Sequence, residues 1–236
     1  MNPVDDGLDI IALPCFAEPF SSLSHIAAAL VVLVWGGALV WRGRGYRSSL
    51  ALFVFCAVFL LSMSGLYHSA TPGSVARRVF QRLDHAGIWL LIAGSFTPVH
   101  MLLFERLFWR WGVLSLVWVI AVAGLTLKTV FFEQMSEELG LALYLGLGWF
   151  GVVSGVRGLR LYGARELVPV AVGGFAYSAG ALVDYLGWPV AVRGVIGPHE
   201  LFHIGVIAGL FAHMAFIARH LDRRLIEGSV AVSGEA

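Results

Sequence analysis

Residues 20–41 read FSSLSHIAAALVVLVWGGALVW, a run of 22 residues without a Lys, Arg, Asp or Glu. A helix needs about 20 apolar residues to cross the hydrocarbon core of a bilayer, so this run is long enough to span one. Six further runs follow, at roughly 49–67, 85–104, 109–131, 139–156, 167–186 and 198–218. The gaps between them are short and carry the charge: Arg42, Arg44 and Arg47, then Arg77, Arg78 and Arg82, Glu105 and Arg106, Glu133, Glu137 and Glu138, Arg157, Arg160 and Arg165, and Arg193. None is long enough to hold a soluble domain. Trp41, Trp109, Trp111 and Trp188 fall at run ends, where aromatic rings anchor helices at the headgroups. The expected fold is all-α, a polytopic membrane protein with a seven-transmembrane helix bundle over 20–218. A short acidic segment, 1–19, precedes it, and a short tail, 219–236, is expected to be frayed.

Composition points the same way. Of 236 residues, 58% are hydrophobic and 13% charged, with a mean hydropathy of +0.82. A soluble domain carries about a quarter charged residues. A net charge of +1 gives no reason to expect nucleic acid as a partner. Two cysteines, Cys15 and Cys56, make neither a disulfide framework nor a thiolate metal site. The first 19 residues hold Asp5, Asp6, Asp9 and Glu18 and no Lys or Arg, the wrong charge for a signal peptide. Gly151/Gly155 and Gly205/Gly209 have the small-xxx-small spacing of close helix packing. The excess of Arg on the side opposite the N-terminus favours a cytoplasmic C-terminus.

Ionisable groups inside a span cost about 2.5–3.5 kcal/mol each even on lenient insertion scales, so their positions are the place to look for function. Three clusters qualify. The second span ends Ser62-Met63-Ser64-Gly65-Leu66-Tyr67-His68, with Ser64 and His68 on one helical face. The third opens with Asp84-His85, and Asp84 there also fits a helix N-cap. The seventh opens Gly197-Pro198-His199-Glu200-Leu201-Phe202-His203, which places His199 and His203 about 6 Å apart along one face. The end of an even span and the start of an odd one lie on the same membrane side. All three clusters therefore sit near one surface. His68, His199 and His203 would make a three-histidine zinc site with an open fourth position, the catalytic rather than the structural pattern. Asp84 is then placed to hold the attacking water or accept its proton, and Ser64 to orient that water or a substrate oxygen.

The remaining polar residues are weighed against this site. His25, at the start of the first span, lies on the site's side and is a candidate to stand behind the ligands. His85 is turned about 100° from Asp84 along the helix. His213 is about 15 Å beyond His203, and His100 and His220 fall at the opposite surface. The stretch from His199 to His203 is also a literal H-E-x-x-H, in which Glu200 would be the general base of a metallopeptidase. No Leu-Asp-Gly element of the intramembrane site-2 proteases completes it, and the alternative for Glu200 is a side chain that faces loop water or a neighbouring helix.

Ser64-x-x-x-His68, Asp84 and His199-x-x-x-His203 together resemble the hemolysin III branch of the progestin and adipoQ receptor family, over essentially the whole chain. Glu18-Pro19-Phe20-Ser21-Ser22 and Arg82-Leu83-Asp84-His85-Ala86-Gly87-Ile88 also look like that branch. Adiponectin receptors of this family bind zinc through three histidines, and the resemblance carries that role to His68, His199 and His203. It gives Asp84 the task of holding the water on the metal. Residues between the two histidines are not part of that motif, which weakens the peptidase reading of Glu200. It also implies a cytoplasmic N-terminus, against the charge count. Alkaline ceramidases belong to the wider superfamily, so the resemblance implies a zinc-dependent lipid amidase or esterase, multi-pass in a bacterial inner membrane and acting on a membrane lipid. The alternatives are a non-catalytic receptor or signalling protein with structural zinc, a pore-forming hemolysin-like protein, and an intramembrane metallopeptidase using Glu200.

Overall fold

The computed structural model describes residues 10–233. Its helices are α1 (Pro19–Arg42), α2 (Arg47–Ser69), α3 (Val75–Leu103), α4 (Val113–Val130), α5 (Glu137–Trp149), α6 (Gly151–Tyr162), α7 (Ala164–Leu186) and α8 (Pro198–Ser233). A π-helical turn, Phe108–Gly112, leads into α4. Helices α5 and α6 form one stretch interrupted at Phe150, close to Gly148 and Gly151. Among the described residues, seven helical stretches are long and apolar enough to cross a membrane, as the apolar runs predict.

Helix α2 packs between α1 and α3; α7 packs along α8, and α8 reaches α1 and α3. Leu39, Leu50, Phe53, Leu61, Leu210, Met214, Phe216 and Ile217 fill the centre of these contacts. A smaller cluster around Trp89, Val117 and Leu147 joins α3, α4 and α5. Lipid is as apolar as leucine, so close fit rather than water exclusion holds such helices together. The α7–α8 seam shows it. A Cβ on Gly205 would stand 2.8 Å from the Ala176 carbonyl oxygen, and one on Gly209 would stand 2.8 Å from the Tyr177 ring. The Gly151/Gly155 pair behaves differently, because Gly155 has open space around it.

Two boundaries differ from the apolar runs. Helix α3 starts at Val75, ten residues before the apolar run, so Asp84 is not its N-cap. Ser74 is, its hydroxyl accepting from the Arg77 N–H at 3.1 Å. Arginine is a good helix former, and Arg77, Arg78 and Arg82 lengthen the helix without being apolar. Asp84 therefore lies about two and a half turns inside α3. At the other end, the tail expected to fray continues α8 to Ser233. Several of its charges are paired: Asp222 with Arg42 at 3.2 Å, Arg223 with Glu166 at 3.1 Å and Arg224 with Glu105 at 3.1 Å.

Candidate metal centre

The end of α2 and the start of α8 meet, as span parity requires. His68 occupies the last turn of α2 and is 1% exposed. Pro198 at the first position of α8 puts His199 and His203 on its first two turns. Three ring nitrogens converge: His199 Nε2 lies 3.4 Å from His68 Nε2 and 3.0 Å from His203 Nε2. The three residues each offer one donor atom, all within 4.8 Å of one another, and could hold a metal ion. Two nitrogens on a tetrahedral ion at the usual zinc–nitrogen distance are about 3.3–3.4 Å apart, so the spacing fits.

The opposite nitrogens explain why the lone pairs point inward. His68 Nδ1 is bonded to Glu18 Oε2, and His199 Nδ1 to Asp184 Oδ1 at 3.1 Å. An ionised carboxylate only accepts, so each Nδ1 carries the proton and each Nε2 keeps its lone pair. Facing lone pairs at this distance repel one another unless a cation lies between them. That donor set fits a divalent ion.

Glu18 precedes α1, and its backbone N–H donates to the His68 carbonyl at 2.9 Å. Its carboxylate also takes the Arg77 guanidinium. Burial works to raise its pKa, but the bonds to His68 and Arg77 outweigh that and hold it at about 2. Glu18 is thus an anion at any physiological pH. On α3, the partly buried Asp84 carboxyl interacts with the Ser64 hydroxyl and with His199. Ser64 itself is 1% exposed, one turn deeper than His68. The trio, Asp84 and Ser64 are therefore together.

The other polar residues divide between the edge of the trio and the rest of the bundle. His25 stacks on His203 with ring centroids 4.0 Å apart, and among the described residues neither of its nitrogens has a hydrogen-bond partner. It stands behind a donor and outside the trio. His85 Nδ1 donates to the Gln81 carbonyl at 2.8 Å and its ring packs on Phe132, away from the trio. His100 bonds Trp109 and Ser154, His213 the Val170 carbonyl, and His220 the Phe216 carbonyl. Glu200 is 2% exposed and has both oxygens engaged. Oε1 accepts from Ser21 Oγ at 2.8 Å and Oε2 from the Gly197 N–H at 2.9 Å. This is the glutamate of a helix-start capping box, three residues after the cap, with a second bond tying α8 to α1. Glu200→Gln is expected to leave metal content unchanged and to lower stability by about 1–3 kcal/mol. Metal analysis and thermal unfolding of the variant check it; a peptidase base would instead abolish turnover at unchanged stability.

Glu18 and Asp184 meet the histidines although no spacing motif points to either. The parity rule that grouped the histidines reaches both. Glu18 stands at the start of an odd span and Asp184 near the end of an even one, on the site's side.

Fold and site together define a seven-helix, multi-pass integral membrane protein with a histidine trio between its second and last helices. The family model described as "Haemolysin-III related" matches residues 14–214, and the chain belongs to that family. It is similar to hemolysin-3 of Bacillus cereus, 29% identical over 169 residues, covering 70% of this chain and 73% of that protein. The heptahelical transmembrane protein ADIPOR2 of rice (Oryza sativa subsp. japonica) is 30% identical over 177 residues, covering 69% of this chain and 77% of its own. The adiponectin receptor protein of Drosophila melanogaster is 27% identical over 180 residues, 68% of this chain and 40% of the fly protein. The relatives and the seven helices make this a multi-pass integral membrane protein.

Proposed function

We propose that the protein is a zinc-dependent hydrolase of an amide or ester bond in a membrane lipid, ceramide-like in its chemistry. The observation that carries this reading is the convergence of three imidazole Nε2 atoms beside Asp84 and Ser64 near one membrane face. His68, His199 and His203 would hold the zinc, which would supply a Lewis acid able to polarise a carbonyl oxygen and activate water. Asp84 accepts the proton of the attacking water and returns it to the leaving nitrogen or oxygen, so that water adds across the scissile bond. Ser64 orients the Asp84 carboxyl through its hydroxyl. A site in the first turns of a membrane-spanning helix suits a lipid whose scissile linkage sits just below its headgroup.

The test starts from detergent-purified full-length protein. Elemental analysis is expected to give one zinc per chain, and ceramide in mixed micelles to release fatty acid. Release should stop with chelator and return with added zinc. Protein that takes up no zinc, or zinc-loaded protein that cleaves neither amide nor ester lipids, overturns the proposal.

A second reading, a non-catalytic protein with structural zinc, is favoured by one observation. Helix α2 packs chiefly on α1 and α3, whereas α8 packs chiefly on α7, so the trio is a main link between α2 and α8. Under this reading metal removal lowers the melting temperature and no lipid is turned over.

A further inference from the structure

We infer that Glu18 and Asp184 are positioning residues of the metal site, each holding one ligand imidazole by its far nitrogen and placing a carboxylate behind it. This rests on the trio being a metal site. The argument starts from the tautomers. A neutral imidazole ligates only through the nitrogen without a proton, and in water the two tautomers interconvert. Glu18 against His68 Nδ1 and Asp184 against His199 Nδ1 select the form whose Nε2 is free. They also stop ring rotation, since each imidazole is then held at both ends.

The two carboxylates are themselves fixed, by different means. Glu18 is anchored through its backbone N–H on the His68 carbonyl at 2.9 Å and by Arg77. Arg77 in turn donates to the Ala70 carbonyl at 3.0 Å and lies over the Tyr67 ring at 4.6 Å. The segment before α1 is thereby strapped to the end of α2. Asp184 lies in the last turn of α7, which stops at Gly187 in a left-handed conformation at φ 63°. The α7–α8 glycine seam brings that turn beside His199.

Charge gives the second argument. A divalent ion near the hydrocarbon is costly unless opposite charge lies close by. Three neutral imidazoles contribute none. Glu18 and Asp184 bring carboxylates to the far side of two ligand rings, Glu18 sharing its charge with Arg77. His203 has no such partner among the described residues. Its Nδ1 is unbonded and its ring is held by the stack on His25.

The pairs should not weigh equally. The Glu18 side chain is 18% exposed, whereas Asp184 is 38% exposed and more screened. In chelator-competition titrations at fixed pH, Glu18→Gln is expected to weaken zinc binding about 10–100-fold and Asp184→Asn towards the lower end of that range. With Co2+ in place of zinc, both variants should shift the visible ligand-field bands, a signal that a merely structural role would not move. Arg78→Gln, at the neighbouring exposed arginine that donates to the Gly73 carbonyl at 2.9 Å, should keep the wild-type band positions and affinity. If Arg78→Gln matches Glu18→Gln in both readouts, the effect is not specific to Glu18 and its assignment is overturned. Wild-type affinity and spectra in Glu18→Gln and Asp184→Asn overturn the inference and leave the trio standing. A wild-type protein that binds no metal overturns both. Should Glu18→Gln fail to fold, Asp184→Asn, changed at a half-exposed pair, decides alone.

Discussion

His203→Ala is expected to lose the metal, with affinity falling by more than the roughly 100-fold that marks the upper end for loss of a residue behind a ligand. His203 is the donor that closes the trio. It is 2% exposed, and its Nε2 lies 3.0 Å from that of His199. Without it two donors remain, and two imidazoles hold an ion far less firmly than three. The variant also leaves a gap beside His25, so some stability will go whatever the role of the metal. Chelator separates the two effects. A ligand present at 1,000 times its dissociation constant stabilises the folded state by about 4 kcal/mol. Stripping metal from the wild type should therefore lower its melting temperature by several degrees. The melting temperature of His203→Ala should not respond to chelator or zinc at all. A variant that keeps one zinc per chain would show that the trio is not the site.

Asp84→Asn is expected to cut lipid hydrolysis by about 10²–10⁴-fold, the usual worth of a positioned acid–base group. The change is nearly isosteric. The amide can still meet the Ser64 hydroxyl but cannot take up a proton. Metal content should stay at one zinc per chain, because the carboxyl is not among the three donor residues. Lipid-release rates and elemental analysis of the same preparation provide the check. Unchanged hydrolysis would remove Asp84 from the chemistry. Loss of the metal together with the activity would make its contribution electrostatic support of the ion rather than proton transfer.

Of the site, the meeting of the three histidines and the side on which Asp84 and Ser64 lie with them follow from spacing and span parity, and the position of Asp84 along its helix does not. His199 and His203 share a face because four residues make about one helical turn. His68 joins them because the chain crosses the bilayer four times, an even number, between the two helices. The depth of Asp84 was misplaced, because a hydropathy run marks where a helix becomes apolar and not where it begins. Arg77, Arg78 and Arg82 are helical and polar at once. Glu200 was ambiguous for a related reason. Its position three residues after Gly197 fits both a capping box and a metallopeptidase base. Only the presence of Ser21 on the other oxygen decides between them.

The chain alone determined the seven apolar helices, the face on which their polar ends gather and the three imidazoles that can meet there. Those properties depend on neighbours in sequence and on the thickness of a bilayer. The tertiary structure decided which carboxylates back His68 and His199, that His25 stacks on His203, and that the last helix runs on through paired charges to Ser233. These depend on how each helix is rotated about its axis and how closely glycine lets it approach the next. Rotation is set by packing between residues far apart in the chain: Glu18 and His68 are 50 positions apart, Ser21 and Glu200 179.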